Sequence, residues 1–212
     1  VPVIIIGKSG SGKSTSLRNF TECGLINVLG KPLPFKSDKK YITTDSYEKV
    51  KSVLSKAQAK SVIIDDAGYL ITNYFMSHHS TESKGNDIFK LYNDLGDQFW
   101  GIIRFVQNVL SADKIVYFMM HEDHDDYGNV KPKTIGKLLD EKVCLEGMVT
   151  VLIRCVAENG AHKFLTNGDG IEKSPIGMFE NSEVDNDLKM VDTAIRSYWG
   201  LTNIESEETV NE

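Results

Sequence analysis

Apolar and polar positions alternate along the chain in blocks that predict strand, helix, strand, helix. Val3–Ile6 is a short β-branched run of the kind buried in a parallel sheet. Lys13–Cys23 follows with Leu17 and Phe20 on one helical face and Gly24 as a stop. Residues 30–40 hold Pro32, Pro34 and several lysines and read as a loop, and Tyr41–Thr44 as a short strand. Asp45 and Glu48 have capping-box spacing ahead of a helical period at Tyr47, Val50, Leu54 and Ala57. Ser61–Ile64 is a second apolar strand ending in Asp65-Asp66, and residues 71–87 show no sustained period and read as a long exposed loop. A long helix is marked by Ile88, Leu91, Leu95, Phe99, Ile102, Phe105, Val106 and Val109, with Gly96 and Gly101 as points of interruption. Lys114–Met120 is a third strand, 121–134 a polar loop, and Thr134–Val143 a short helix. Val149–Val156 and His162–Thr166 flank Asn159-Gly160, a hairpin signal. Val184, Leu188, Val191, Ile195 and Tyr198 give a last helix, stopped by Gly200. The expected fold is α/β: three layers around a mainly parallel sheet, with a C-terminal antiparallel hairpin at its edge. Residues 1–200 are expected to form a single domain, and 201–212 an acidic, disordered tail.

Composition narrows the classes. The chain has 212 residues, 41% hydrophobic, with net charge −6. An acidic balance argues against a duplex-binding module with a basic face and leaves room for local basic loops. No run approaches the ~18–20 apolar residues of a membrane span, and no leader pattern opens the chain. Cys23, Cys144 and Cys155 show no paired spacing and read as reduced thiols, so a cytoplasmic location is expected.

Residues 7–14, Gly7-Lys8-Ser9-Gly10-Ser11-Gly12-Lys13-Ser14, match the phosphate-loop pattern G-x-x-x-x-G-K-S/T at every fixed position, between a strand and a helix. Glycines bring backbone N–H groups against phosphate oxygens, and a helix starting there points its positive end at the anion. Lys13 reaches the β- and γ-phosphates, Ser14 offers a hydroxyl to Mg²⁺, and Thr15 adds a phosphate contact. Read instead as a plain turn, the segment would need neither the lysine nor the hydroxyl. The third glycine of a dinucleotide fingerprint is absent, because Thr15 stands in its place. Asp65 is the expected Mg²⁺ carboxylate, acting through water, and Asp66 the residue that orients or deprotonates an attacking water. Competing readings make Asp66 a turn cap and Asp45 the base. His121, at the end of the third strand, is placed to sense the γ-phosphate. His121, His124, Asp125 and Asp126 also suggest metal ligands, against which stands a solvated acidic loop.

These segments resemble phage-encoded P-loop ATPases of the RecA-like or AAA type, reduced to the core domain. The likeness spans GKSGSGKST, VIIDDAGYL, His121, KPKTIGKLLDEK, ENGAHKFLT, KSPIGMFE and NDLKMVDTAIRSYW. The resemblance implies Mg²⁺-dependent ATP hydrolysis in phage DNA recombination or replication, in the host cytoplasm. ATP would be coupled to binding or annealing of single-stranded DNA, alongside a single-strand-binding protein and in a homo-oligomer. It also implies that 71–87 and 122–134 are DNA-facing loops, with Tyr74, Phe75, Lys84, Lys131 and Lys133 as stacking and phosphate-contacting groups. His121 departs from the glutamine of a RecA-type sensor. Lys137 is either a finger reaching a neighbour's phosphate or a surface lysine. Two other functions fit the motif: a nucleotide or small-metabolite kinase, and an ATP-dependent assembly module without DNA binding.

Overall fold

A computed structural model describes residues 1–82, 87–135 and 143–201. Lys84, Lys137, most of the Thr134–Val143 segment and the tail beyond Leu201 lie outside them.

The strands are β1 (Pro2–Gly7), β2 (Gly24–Asn27), β3 (Ser61–Asp65), β4 (Ile115–His124), β5 (Val130–Pro132), β6 (Val151–Glu158), β7 (Ala161–Leu165) and β8 (Glu183–Asp185). Among the described residues they form one mixed sheet in the order β2-β3-β4-β1-β6-β7-β8, with β5 paired to β4. β2, β3, β4, β1 and β6 run parallel; β7 and β8 extend the sheet antiparallel, and β5 pairs antiparallel with β4. The hairpin expected at Asn159-Gly160 is present, both residues having positive φ as a tight hairpin turn requires.

Each apolar run is buried on both sides, which is why its hydrophobicity is continuous. Ile4, Ile6, Val62, Ile64, Val116 and Phe118 face three helices: α1 (Tyr47–Lys56), α2 (Gly68–Glu82) and α3 (Asp87–Asn108). Val3, Ile5, Ile63, Ile115, Tyr117 and Ile153 face the thinner opposite layer. That layer holds a 3-10 helix at Ser14–Asn19 and α4 (Leu188–Trp199). Leu91, Leu95, Phe99, Ile102 and Val106 of α3 are buried as the periodicity predicts, whereas Val109 is exposed. Gly96 and Gly101 do not interrupt the helix. Gly200 takes the left-handed conformation that ends α4.

Five expectations need correction. Val184, read as the first turn of the last helix, lies in β8, and that helix starts at Leu188 behind an Asp187 cap. The helix after the glycine-rich loop is six residues of 3-10 helix, not an α-helix to Cys23. It stops because the chain must enter β2 at Gly24; the carbonyls of Phe20, Thr21 and Cys23 are taken up by the Lys39 ammonium at 2.8–2.9 Å. Residues 71–82 are helical rather than looped. Their aromatic and imidazole rings pair at i,i+4, Tyr74 with His78 and Phe75 with His79, instead of forming an apolar stripe. Residues 121–132 form the β4–β5 hairpin, closed by Asp125, which accepts from the backbone N–H groups of Tyr127 and Asn129. The α1 cap is Ser46, whose hydroxyl accepts from Lys49 N, while Asp45 accepts from the Asn73 amide.

A buried polar cluster fastens α4 to the sheet. Asp192 accepts from Ser61 Oγ, Tyr117 OH and Arg196 Nε, and Arg196 also donates to Ser61 Oγ and Asp113 O. Cutting Arg196→Ala leaves the Asp192 carboxylate buried without its cation, so the expected cost is about 3–5 kcal/mol. Urea unfolding checks this; a loss below about 1 kcal/mol would mean that the cluster does not hold α4.

Candidate functional site

The parallel register brings four strand ends to one edge. Gly7 of β1 pairs with His121 of β4, and Asn27 of β2 with Asp65 of β3. Connections from β1 and β4 leave in opposite directions around this point, where open α/β sheets place ligands. A cleft of about 260 Å³ opens there, lined by Gly12, Lys13, Ser14, Thr15, Lys31, Asp65, Asp66 and His121 among others.

Backbone geometry shapes the loop. Gly10 and Gly12 have φ of 79° and 103°, the region that favours glycine. At Gly12 an added Cβ would also lie 2.9 Å from the His162 ring. At Gly7 it would lie 2.4 Å from Cys155 O. The loop rests on β6 and β7: His162 Nδ1 and Cys155 Sγ lie 2.8 and 3.0 Å from Ser11 O, and Asn186 donates to Cys155 Sγ. Burial pushes the Cys155 thiol up to about 11, so it acts here as packing rather than as a nucleophile.

Lys13 is buried and donates to the carbonyls of Gly7 and Lys8, at 2.7 and 2.9 Å. It has no carboxylate partner among the described residues, and burial lowers its pKa. A cation in that position lacks an anion, and the loop's N–H groups offer anion contacts beside it. The following helix is too short for its dipole to add much, so the affinity expected of a full helix start reduces to the loop amides and Lys13.

Ser14 Oγ donates to Asp65 Oδ1 at 3.0 Å, joining two sequence motifs 51 residues apart. Asp65 is 5% exposed. Burial and the neighbouring Asp66 raise its pKa, while Ser14 opposes the rise. One buried carboxylate plus one hydroxyl, with room for waters, fits Mg²⁺, a hard ion that keeps much of its hydration. Ser14 and Asp65 would hold it, and it would neutralise phosphate charge.

Asp66 sits at φ 57°, a left-handed conformation that Asp tolerates better than most residues. Its carboxylate meets Lys31 Nζ at 2.5 Å and His121 Nε2 at 3.6 Å. Burial, then the Lys13 charge, lowers the His121 pKa, so the ring is neutral at pH 7 and fits a hydrogen-bonding role.

The structure thus brings Lys13, Ser14, Thr15, Asp65, Asp66 and His121 around one cleft. Ser9 and Gly10 line it too, whereas Lys8 and Ser11 line a neighbouring hollow with Glu122 and Arg154. It does not bring Tyr74 and Phe75 to a DNA-facing loop. Both are partly buried on α2 against the core, Tyr74 edge-on to Tyr47 and Phe75 stacked on Tyr92. Lys131 lies on β5 opposite Asp123, and Lys133 just beyond it. Asp45 lines no part of the cleft. His124, Asp125 and Asp126 belong to the hairpin, and no group of three or more His, Cys, Asp or Glu gathers as a metal site among the described residues.

Sequence reasoning missed Asn27 and Lys31. Asn27 ends a strand of only four residues, and Lys31 lies in a segment read as an ordinary loop. A polar residue closing the short apolar run GLIN was the available signal.

Because Asp65 binds a proton more readily folded than unfolded, its contribution to stability is present at low pH and lost as pH rises through its raised pKa. The metal-free protein therefore pays for the buried charge as pH rises through that range. Asp65→Asn is expected to raise its Tm by roughly 2–4 °C, about 1 kcal/mol, while removing the extra stabilisation by Mg²⁺ with nucleotide. A fall in the metal-free Tm would contradict this.

No helix among the described residues is long and apolar enough to cross a membrane. No family model matches the chain, and no curated protein matches it, so its chemistry rests on the residues themselves.

Proposed function

We propose that the protein is a Mg²⁺-dependent ATPase of the RecA-like or AAA P-loop type, with residues 1–200 as its domain. The Ser14–Asp65 contact carries this reading, because a plain structural turn gives no reason for a half-buried hydroxyl bonded to a buried carboxylate beside a buried lysine with no carboxylate partner among the described residues. Lys13 and the loop amides bind the phosphates of ATP, and Ser14 and Asp65 hold Mg²⁺. Asp66 takes a proton from water as its oxygen bonds to the γ-phosphorus and the bond to the β-phosphate oxygen breaks, giving ADP and phosphate. His121 hydrogen-bonds at the γ-phosphate end of the cleft.

The kinase alternative is weaker, because no arginine lines the cleft. Arg18 is bonded to Asn186 O, Arg104 lies over Trp100, Arg154 pairs with Glu122, and Arg196 belongs to the α4 cluster. The same ATPase cycle would be coupled to single-stranded DNA in recombination or replication. The β4–β5 hairpin, with Lys131 and Lys133 and an exposed Tyr127 near its turn, keeps the DNA-contacting role expected of residues 122–134, while the described part of 71–87 is helix and does not supply a second loop.

Lys13→Ala is expected to abolish ATP binding, seen as loss of the thermal stabilisation that saturating Mg²⁺-ATP gives the parent protein. Asp66→Asn is expected to keep binding and to lower turnover by about 10²-fold or more. Unchanged ATP affinity in the first variant, or unchanged turnover in the second, would refute the respective role. Replacing Lys131 and Lys133 by Ala is expected to remove ATP-dependent retention of a single-stranded oligonucleotide; undiminished retention would exclude the hairpin as the contact.

A further inference from the structure

The segment after β2 is fixed across the mouth of the cleft. Asn27 Nδ2 donates to Lys31 O at 2.7 Å, and at the parallel Ile26–Ile42 bridge Asn27 N donates to Ile42 O while Ile42 N donates to Leu25 O. Leu33 and Phe35 pack against the thinner core layer, and Lys39 caps the 3-10 helix. Pro32 and Pro34 stiffen the stretch between and line the cleft. Lys31 is therefore held in place by its backbone while its side chain, 58% exposed, reaches in to Asp66. Its ammonium stays charged because the Asp66 hydrogen bond raises its pKa. Asn27 Oδ1, buried at the same edge, has no hydrogen-bond partner among the described residues.

Resting on the ATPase reading, we propose that Lys31 is a second phosphate-binding ammonium, which recognises the terminal phosphate of a nucleoside triphosphate and exchanges Asp66 for it. Lys13 and Lys31 line the same cleft, with Asp66 and His121 beside them. A terminal phosphate carries more negative charge than one carboxylate, and the lysine end of the pair is exposed and long enough to swing while buried Asp66 keeps His121 beside it, so the exchange favours the phosphate. Moving Lys31 off the carboxylate leaves Asp66 Oδ2 open to accept a proton from water. A diphosphate lacks the γ-phosphate, and its β-phosphate stays at the loop, so the same lysine separates triphosphate from diphosphate and keeps Asp66 engaged after hydrolysis.

The test measures dissociation constants for a non-hydrolysable ATP analogue and for ADP, both with Mg²⁺, on the parent protein, Lys31→Met, Lys31→Arg and Lys36→Met. Lys31→Met is expected to weaken the analogue about 10- to 100-fold, the range of a charge-assisted contact, and to leave ADP nearly unchanged. Lys31→Arg is expected to keep much of the preference for the analogue. Lys36→Met, an exposed change outside the cleft lining, is expected to keep all of it. Equal weakening of both ligands, or no change in their ratio, overturns the role of Lys31 and leaves the ATPase reading standing. Failure of the parent protein to bind either nucleotide overturns both.

Discussion

The pairing of β1 between β4 and β6 is the constraint on which the rest of the structure depends. It sets Gly7 level with His121 and buries the isoleucine run on both faces. It also fixes where the chain leaves the sheet. Gly7 then has no room for a Cβ, because Cys155 O of the adjoining strand lies against it. The loop that follows is held from below by β6 and β7 through His162 and Cys155, so its shape is set by the sheet rather than by the short helix behind it. The site is thereby built on rigid elements, which is what a positioned set of donors requires.

Charge in the cleft is deliberately unbalanced. Two carboxylates stand side by side, and Asp65 forms no ion pair among the described residues. Across from them Lys13 is buried with only carbonyls for company. Each group is at a cost in isolation. A metal ion beside Asp65 and a phosphate chain beside Lys13 would relieve both costs at once, and this complementarity is stronger support for the reading than either group alone. The left-handed Asp66 is a further local cost, placed where it aims a carboxylate into the cleft, as backbone strain at functional sites often does.

Much of this was legible in the chain because it rests on short-range patterns. β1, β3, β4 and β6 were visible as apolar runs, the β6–β7 hairpin as Asn159-Gly160, the last helix from Leu188 by its period and Gly200, and the loop by its spacing. Other features depend on contacts distant in sequence. α2 carries no apolar stripe because its rings pair with one another and with Tyr47 and Tyr92 from other helices. The early end of the 3-10 helix depends on Lys39, and the significance of Lys31 on a strand too short to be seen as one. The β4–β5 hairpin hid behind a turn whose bonds come from the Asp125 side chain.

The central claim is that the glycine-rich loop and the Ser14–Asp65 pair form one site for a Mg²⁺-bound triphosphate. A crystal structure with a non-hydrolysable ATP analogue and Mg²⁺ tests it most directly. The phosphates should lie against the backbone amides of residues 8–15 and Lys13 Nζ, with the metal beside Ser14 Oγ and Asp65. A triphosphate bound away from that loop, or a metal held by other residues, would contradict the account.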